Sequence, residues 1–106
     1  NGKPENTLLE SEVNENDYHQ SIALISDLFK KAKLVHGDFS EYNIFKTKNG
    51  LKLFDLGSAV DTTHPNTMNF LKRDINNITN FFVKRGLTVE NPADILERIT
   101  KWALKN

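Results

Sequence analysis

Asp38, Asn43 and Asp55 are the residues of this chain whose types and spacing could do chemistry. The first two lie in the stretch "LVHGDFSEYNIF", residues 34–45, and the third closes the run "LKLF". Carboxylate and carboxamide oxygens are hard ligands. Mg²⁺ takes one or two of them at about 2.0–2.1 Å and fills its other positions with water and substrate phosphate. Mn²⁺ accepts the same oxygen ligands, so the choice between the two ions stays open. A further carboxylate, not committed to the ion, can take the proton of an attacking hydroxyl. These are the parts of a phosphoryl-transfer site. Taken alone, Asp38 reads as a helix cap or turn acid, with Glu41 completing a capping box. Its company with Asn43 and Asp55 favours the site.

Such residues act together only if a scaffold brings them together. Tyr18, Ile22, Ile25, Phe29 and Ala32 recur at three- and four-residue steps, which predicts a helix from Asp17 to near Lys33 with basic residues in its last turn. "LVH" then reads as a short strand, and "NIFK" and "LKLF" as a hairpin around Asn49-Gly50, residues that tolerate positive φ. That hairpin would set Asn43 beside Asp55 and hold Asp38 just beyond them. "DLGSAVDTTHPNT" is turn-rich, and Pro65, preceded by Thr62 or Thr63, is placed to open a second helix. Phe70, Leu71, Ile75, Ile78, Phe81 and Phe82 give that helix an apolar face, and Gly86 suits its end. Asn91 and Pro92 open a third helix bearing Ile95, Ile99, Trp102 and Ala103. The fold class is α+β, mainly helical, with a small antiparallel hairpin. Residues 1–16 are polar, carry Gly2 and Pro4 and show no period, so they read as a linker or ordered loop rather than a core element.

Composition excludes several classes. The 106 residues include 14 basic and 14 acidic side chains, so no net charge demands nucleic acid or an anionic membrane. DNA binding is not expected, and the basic residues read as solvated surface with a weak allowance for ribosomal RNA. There is no cysteine, which rules out disulfides and thiolate metal sites. No apolar run approaches the ~20 residues of a membrane span, and no signal pattern opens the chain. A cytoplasmic protein without a membrane partner is expected. His19 reads as a helix-surface residue, His64 as a turn residue and the Phe81-Phe82 pair as core.

"HGDFSEYN" followed by "FDLG" resembles the catalytic and metal loops of the protein kinase superfamily, H-R-D-x-x-x-x-N and D-F-G. With "HPN" and "FLKRD" downstream, the wording is similar to the RIO family of atypical serine/threonine protein kinases, and within it to the subfamily with a Ser-Glu-Tyr-Asn loop. The resemblance covers most of the chain, from the first helix through Gly86. It implies a kinase-like C-terminal lobe over residues 17–106, after a linker from the interlobe hinge. It makes Asp38 the catalytic base or hydroxyl orienter, and Asn43 and Asp55 the ligands of an ion that bridges the ATP phosphates. His36 and Asp74 would support the catalytic loop. Ser40 stands where ordinary kinases carry a lysine, and offers a hydrogen bond without a charge. By position, Phe45 and Phe54 would form an apolar floor for adenine.

Departures from the kinase pattern also inform. Gly37 replaces the H-R-D arginine, so the loop lacks the cation that reads a phosphorylated activation segment. No A-P-E triplet follows "DLG", and His64 comes only nine positions after Asp55, which leaves little room for a peptide platform. No G-x-G-x-x-G or V-A-I-K pattern is present. A C-terminal lobe without its N-terminal lobe, inactive alone, is therefore expected. The resemblance implies ATP-dependent phosphorylation of serine on a protein substrate or on itself, and a role in maturation of the small ribosomal subunit. One alternative is an ATPase switch or assembly factor on a pre-ribosomal particle, using the same residues. Another is a small-molecule phosphotransferase of the aminoglycoside or choline kinase type, which "SEYN", "HPN" and "FLKRD" argue against.

Overall fold

The computed structural model describes residues 6–53 and 56–105, with side chains through residue 101. The elements run β1 (Asn6–Thr7), α1 (Glu15–Lys31), β2 (Leu34–Val35), β3 (Ile44–Thr47), β4 (Gly50–Leu53), β5 (Val60–Asp61), α2 (Thr67–Lys84) and α3 (Pro92–Lys105). This is the expected α+β arrangement of three helices with small antiparallel sheets.

Helix α1 begins two residues before the predicted Asp17, because Asn14 caps it. The Asn14 side chain accepts the Asp17 N–H, and the Asp17 carboxylate accepts the Asn14 N–H, both at 3.0 Å. The same carboxylate, 3 % exposed, takes the Lys46 ammonium at 2.8 Å, so a buried charge is matched across to β3. Tyr18, Ile22, Ile25 and Phe29 are buried as their spacing predicts, whereas Ala32, one residue past the helix, is exposed.

In the hairpin, Ile44 faces Leu53 and Thr47 faces Gly50. Gly50, rather than Asn49, takes the positive φ, at 105°. Strand β1 adds to its free side, Asn6 opposite Lys46 and Thr7 opposite Phe45. In the described part of residues 1–16, read from sequence as a linker or ordered loop, Leu8 is fully buried and belongs to the core. The turn-rich segment also hides a strand, as β5 pairs with β2 through Val35 opposite Val60.

Helix α2 starts later than predicted. Its cap is Asn66, with Pro65 outside the helix, and the Thr67 hydroxyl donates to the Asp61 and His64 carbonyls at 3.0 and 2.7 Å. Gly86, with φ 89°, follows its end as expected. Asn91 opens α3, its Oδ1 accepting the Ala93 N–H at 2.8 Å with Pro92 in the first turn. Leu71, Ile75, Ile78, Phe81 and Phe82 of α2 meet Ile95 and Ile99 of α3 and the α1 face in one core. Each such side chain stabilises the fold by about 1.5–3 kcal/mol relative to exposure. Trp102 and Ala103 lie beyond the described side chains. Among the described residues no helix is long and apolar enough to cross a membrane.

Candidate active site

Strand β2 delivers His36, Gly37 and Asp38 onto the N-terminal half of α2. Asp74, 1 % exposed, accepts the backbone N–H of Gly37 at 2.9 Å and of Phe39 at 3.1 Å, one on each carboxylate oxygen. Arg73 beside it donates to the Gly37 carbonyl and stacks on Phe70 at 5.0 Å. Consecutive α2 residues thus hold both polar ends of the loop's tightest point. Burial pushes the Asp74 carboxyl above the ordinary aspartate range, and the two N–H donors, with His36 and Arg73 nearby, only partly oppose it.

Gly37 sits at φ 85°, and a Cβ placed on it would come 3.0 Å from the Ser58 carbonyl oxygen. Handedness and space both require glycine there. His36, buried, accepts the Asp38 N–H on Nδ1 at 3.0 Å and packs edge-on against Phe39, which is fully buried. The loop backbone is therefore fixed from beneath while the Asp38 side chain projects, exposed, into solvent.

A short turn carries the chain from Asp38 to β3. The Ser40 carbonyl accepts the Asn43 N–H at 3.0 Å, and the Ser40 hydroxyl accepts the Tyr42 N–H at 3.3 Å. Ser40 therefore shapes the turn. Asn43 Nδ2 donates to the Asp38 carbonyl at 2.6 Å and reaches the Asp38 carboxylate at 3.5 Å. The structure brings Asp38 and Asn43 together, and Glu41 forms no capping box with Asp38. The Asn43 side-chain oxygen accepts no hydrogen bond among the described residues, which leaves a hard oxygen available to an ion.

Asp55 and Phe54, the other expected ligand and the other half of the adenine floor, lie outside the described residues. No group of three His, Cys, Asp or Glu that could hold a metal occurs among the described residues. The expected donor set is of a different kind, one carboxamide and one carboxylate completed by phosphate and water. Phe45 is half-buried on β3 and alternates with Ile44, the residue that enters the core. It lies on the opposite sheet face, with Lys52 across the hairpin. His64 is a turn residue whose Nδ1 accepts the Asn66 N–H at 3.1 Å, and His19 is exposed.

Two open grooves meet at Asp38, one of about 340 Å³ on the Ser40 side and one of about 570 Å³ on the Ser58 side. Sequence reasoning missed Arg73, whose only trace was its place before Asp74. It also missed Asn77, one turn further along α2, which lines both grooves.

Comparison with known proteins matches residues 1–95 to the RIO domain family model. A probable serine/threonine-protein kinase RIO1 homolog of Encephalitozoon cuniculi is 40 % identical over 83 residues, 78 % of this chain and 21 % of the relative. Serine/threonine-protein kinase RIO1 of Homo sapiens is 31 % identical over 83 residues, 78 % of this chain and 15 % of the relative. Among solved structures, a Rio2 kinase-ADP/Mg²⁺-phosphoaspartate complex from Chaetomium thermophilum superposes with a TM-score of 0.68 at 26 % identity, over 90 % of this chain and 33 % of that one. The chain thus spans only a minor part of the relatives it matches.

Proposed function

This chain belongs to the RIO domain family, and from that premise we propose that it forms the C-terminal half of an ATP-dependent kinase site that phosphorylates protein serine. The observation that carries the reading is the presentation of Asp38, an exposed carboxylate on a backbone clamped by Asp74 and Arg73, with Asn43 in hydrogen-bonding contact. The relatives' names, serine/threonine-protein kinases, support it.

In this reading the serine Oγ attacks the γ-phosphorus of ATP, the bond to the bridging oxygen breaks, and ADP leaves. Asp38 orients the hydroxyl and accepts its proton. Asn43 fixes the Asp38 carboxylate with Nδ2 and, together with Asp55, would hold Mg²⁺ through its side-chain oxygen. The ion, when bound, neutralises charge on the phosphate oxygens. Phe45 is suited to lie under the adenine ring. The rest of the nucleotide site, including a phosphate-binding lysine, would come from an N-terminal lobe, with residues 17–106 as the C-terminal one. A cytoplasmic place in maturation of the small ribosomal subunit completes the reading.

A second reading has one observation in its favour. The Rio2 neighbour is described as a phosphoaspartate complex with ADP and Mg²⁺. A switch that passes phosphate to its own aspartate and then to water would use the same residues. Single-turnover reactions of the full-length protein with γ-labelled ATP separate the two. Label retained on serine, stable to hydroxylamine, supports the kinase. Hydrolysis with only hydroxylamine-labile label, or none, supports the switch and overturns the kinase reading.

A further inference from the structure

The smaller groove beside Asp38 runs along one face of α2. Asp38, Ser40 and Glu41 line it on the loop side, and Asn77, Asn80 and Lys84 on the helix side. Steps of three and four residues put those α2 side chains in a single stripe. None of the three makes a side-chain hydrogen bond or ion pair among the described residues. The stripe contains no acid, and among the described residues Lys84 is the one cation lining this groove.

We propose that Asn77, Asn80 and Lys84 form the track for the phosphoacceptor segment, and that Lys84 selects an acidic side chain about three residues from the acceptor serine. This deepens the kinase reading above and rests on it. Carboxamides donate and accept, so Asn77 and Asn80 can pair with peptide groups whatever the side chains between them. Helix α2 advances about 1.5 Å per residue, which sets Lys84 roughly 10 Å beyond Asn77 along the axis. An extended segment covers that span in about three residues at about 3.3 Å each. Asp38 itself stands at the serine end, so an acid adjacent to the serine meets like charge, whereas one at the Lys84 end meets its opposite.

The test uses the full-length protein and serine peptides on one scaffold, with glutamate three positions before the serine, three after, directly after, or absent. For the wild type, kcat/KM should favour one of the two distant glutamates over the neutral peptide by about tenfold and disfavour the adjacent one. Lys84→Gln, which keeps much of the stem, should bring the ratio of distant-acid to neutral peptide near one. Lys84→Glu should invert it and favour lysine at that position. A ratio near one in the wild type, or a ratio unchanged by both substitutions, overturns the proposal while leaving the kinase reading standing. A wild type that turns over ATP but transfers phosphate to no protein or peptide overturns both.

Discussion

Asn43 is tied to Asp38 twice, through the Asp38 carbonyl at 2.6 Å and its carboxylate at 3.5 Å. One side chain thereby serves both the candidate base and the candidate ion. Asp38→Asn in the full-length protein should retain ATP binding and lose turnover by roughly 10²–10⁴-fold. Asn43→Ala should lower both, since it releases the carboxylate and removes the proposed ion ligand. Nucleotide titration beside turnover measurement checks the pair. Near-normal turnover in Asp38→Asn would refute its role.

Asp55 is the partner ligand in the proposed site. Asp55→Ala should abolish the Mg²⁺-dependent part of nucleotide affinity without unfolding the protein. Titrations with and without Mg²⁺, alongside circular dichroism, provide the check, and an unchanged Mg²⁺ dependence would count against the assignment.

The clamp by Asp74 gives a stability prediction. Asp74→Asn replaces one acceptor oxygen with an NH₂ facing a backbone N–H, and should cost about 1–3 kcal/mol. Hydrogen exchange should rise first at the Gly37 and Phe39 amides. Protection unchanged at those two amides would show that the loop is held by something else.

Gly37→Ala should also destabilise, by roughly 1–2 kcal/mol for the left-handed backbone alone. The Ser58 carbonyl must retreat as well, because the new methyl would stand 3.0 Å from it. Thermal denaturation measures the loss, and a neutral outcome would mean that the β2–β5 corner adapts freely.

A pH-dependent contribution comes from Glu90, which joins the α2–α3 connection to α1 and α3. It accepts the Tyr18 hydroxyl at 3.0 Å and pairs with Arg98 at 2.6 Å. The Arg98 hydrogen bond, foremost, holds its carboxyl below the ordinary range of 4.5. A depressed folded value means stabilisation that is fully present above the unfolded value and lost as pH falls through the folded one. The melting-temperature gap between wild type and Glu90→Gln should therefore be constant above about pH 5 and vanish in acid. Both partners are well exposed, so the gap reflects a few tenths to about 1 kcal/mol. A gap that persists at pH 2 would point to packing instead of charge.

Much of the scaffold was legible because helices longer than three turns repeat their apolar residues audibly. Tyr18 through Phe29 and Leu71 through Phe82 announce α1 and α2. The two-residue strands were not. Asn6–Thr7 is polar and gains its place only by pairing with β3, and Val60–Asp61 is short enough to disappear among turn residues. Pro65 misled for a local reason, since a proline just before a cap and one just inside a helix look alike in sequence. At the site, Asp38 and Asn43 stand out in the sequence because a carboxylate and a carboxamide are side-chain types that could do chemistry. The Arg73 contact was hidden because its partner is a main-chain carbonyl, which leaves no mark on residue type.

Strand β1 has a mechanical consequence. Thr7 is paired with Phe45, and Leu8 continues the contact with a 2.9 Å hydrogen bond to the Ile44 carbonyl. Ile44 follows Asn43 directly. A pull or twist applied to the chain at Asn6 is therefore borne by the strand that supports Asn43 and Phe45, with no flexible tether between to absorb it.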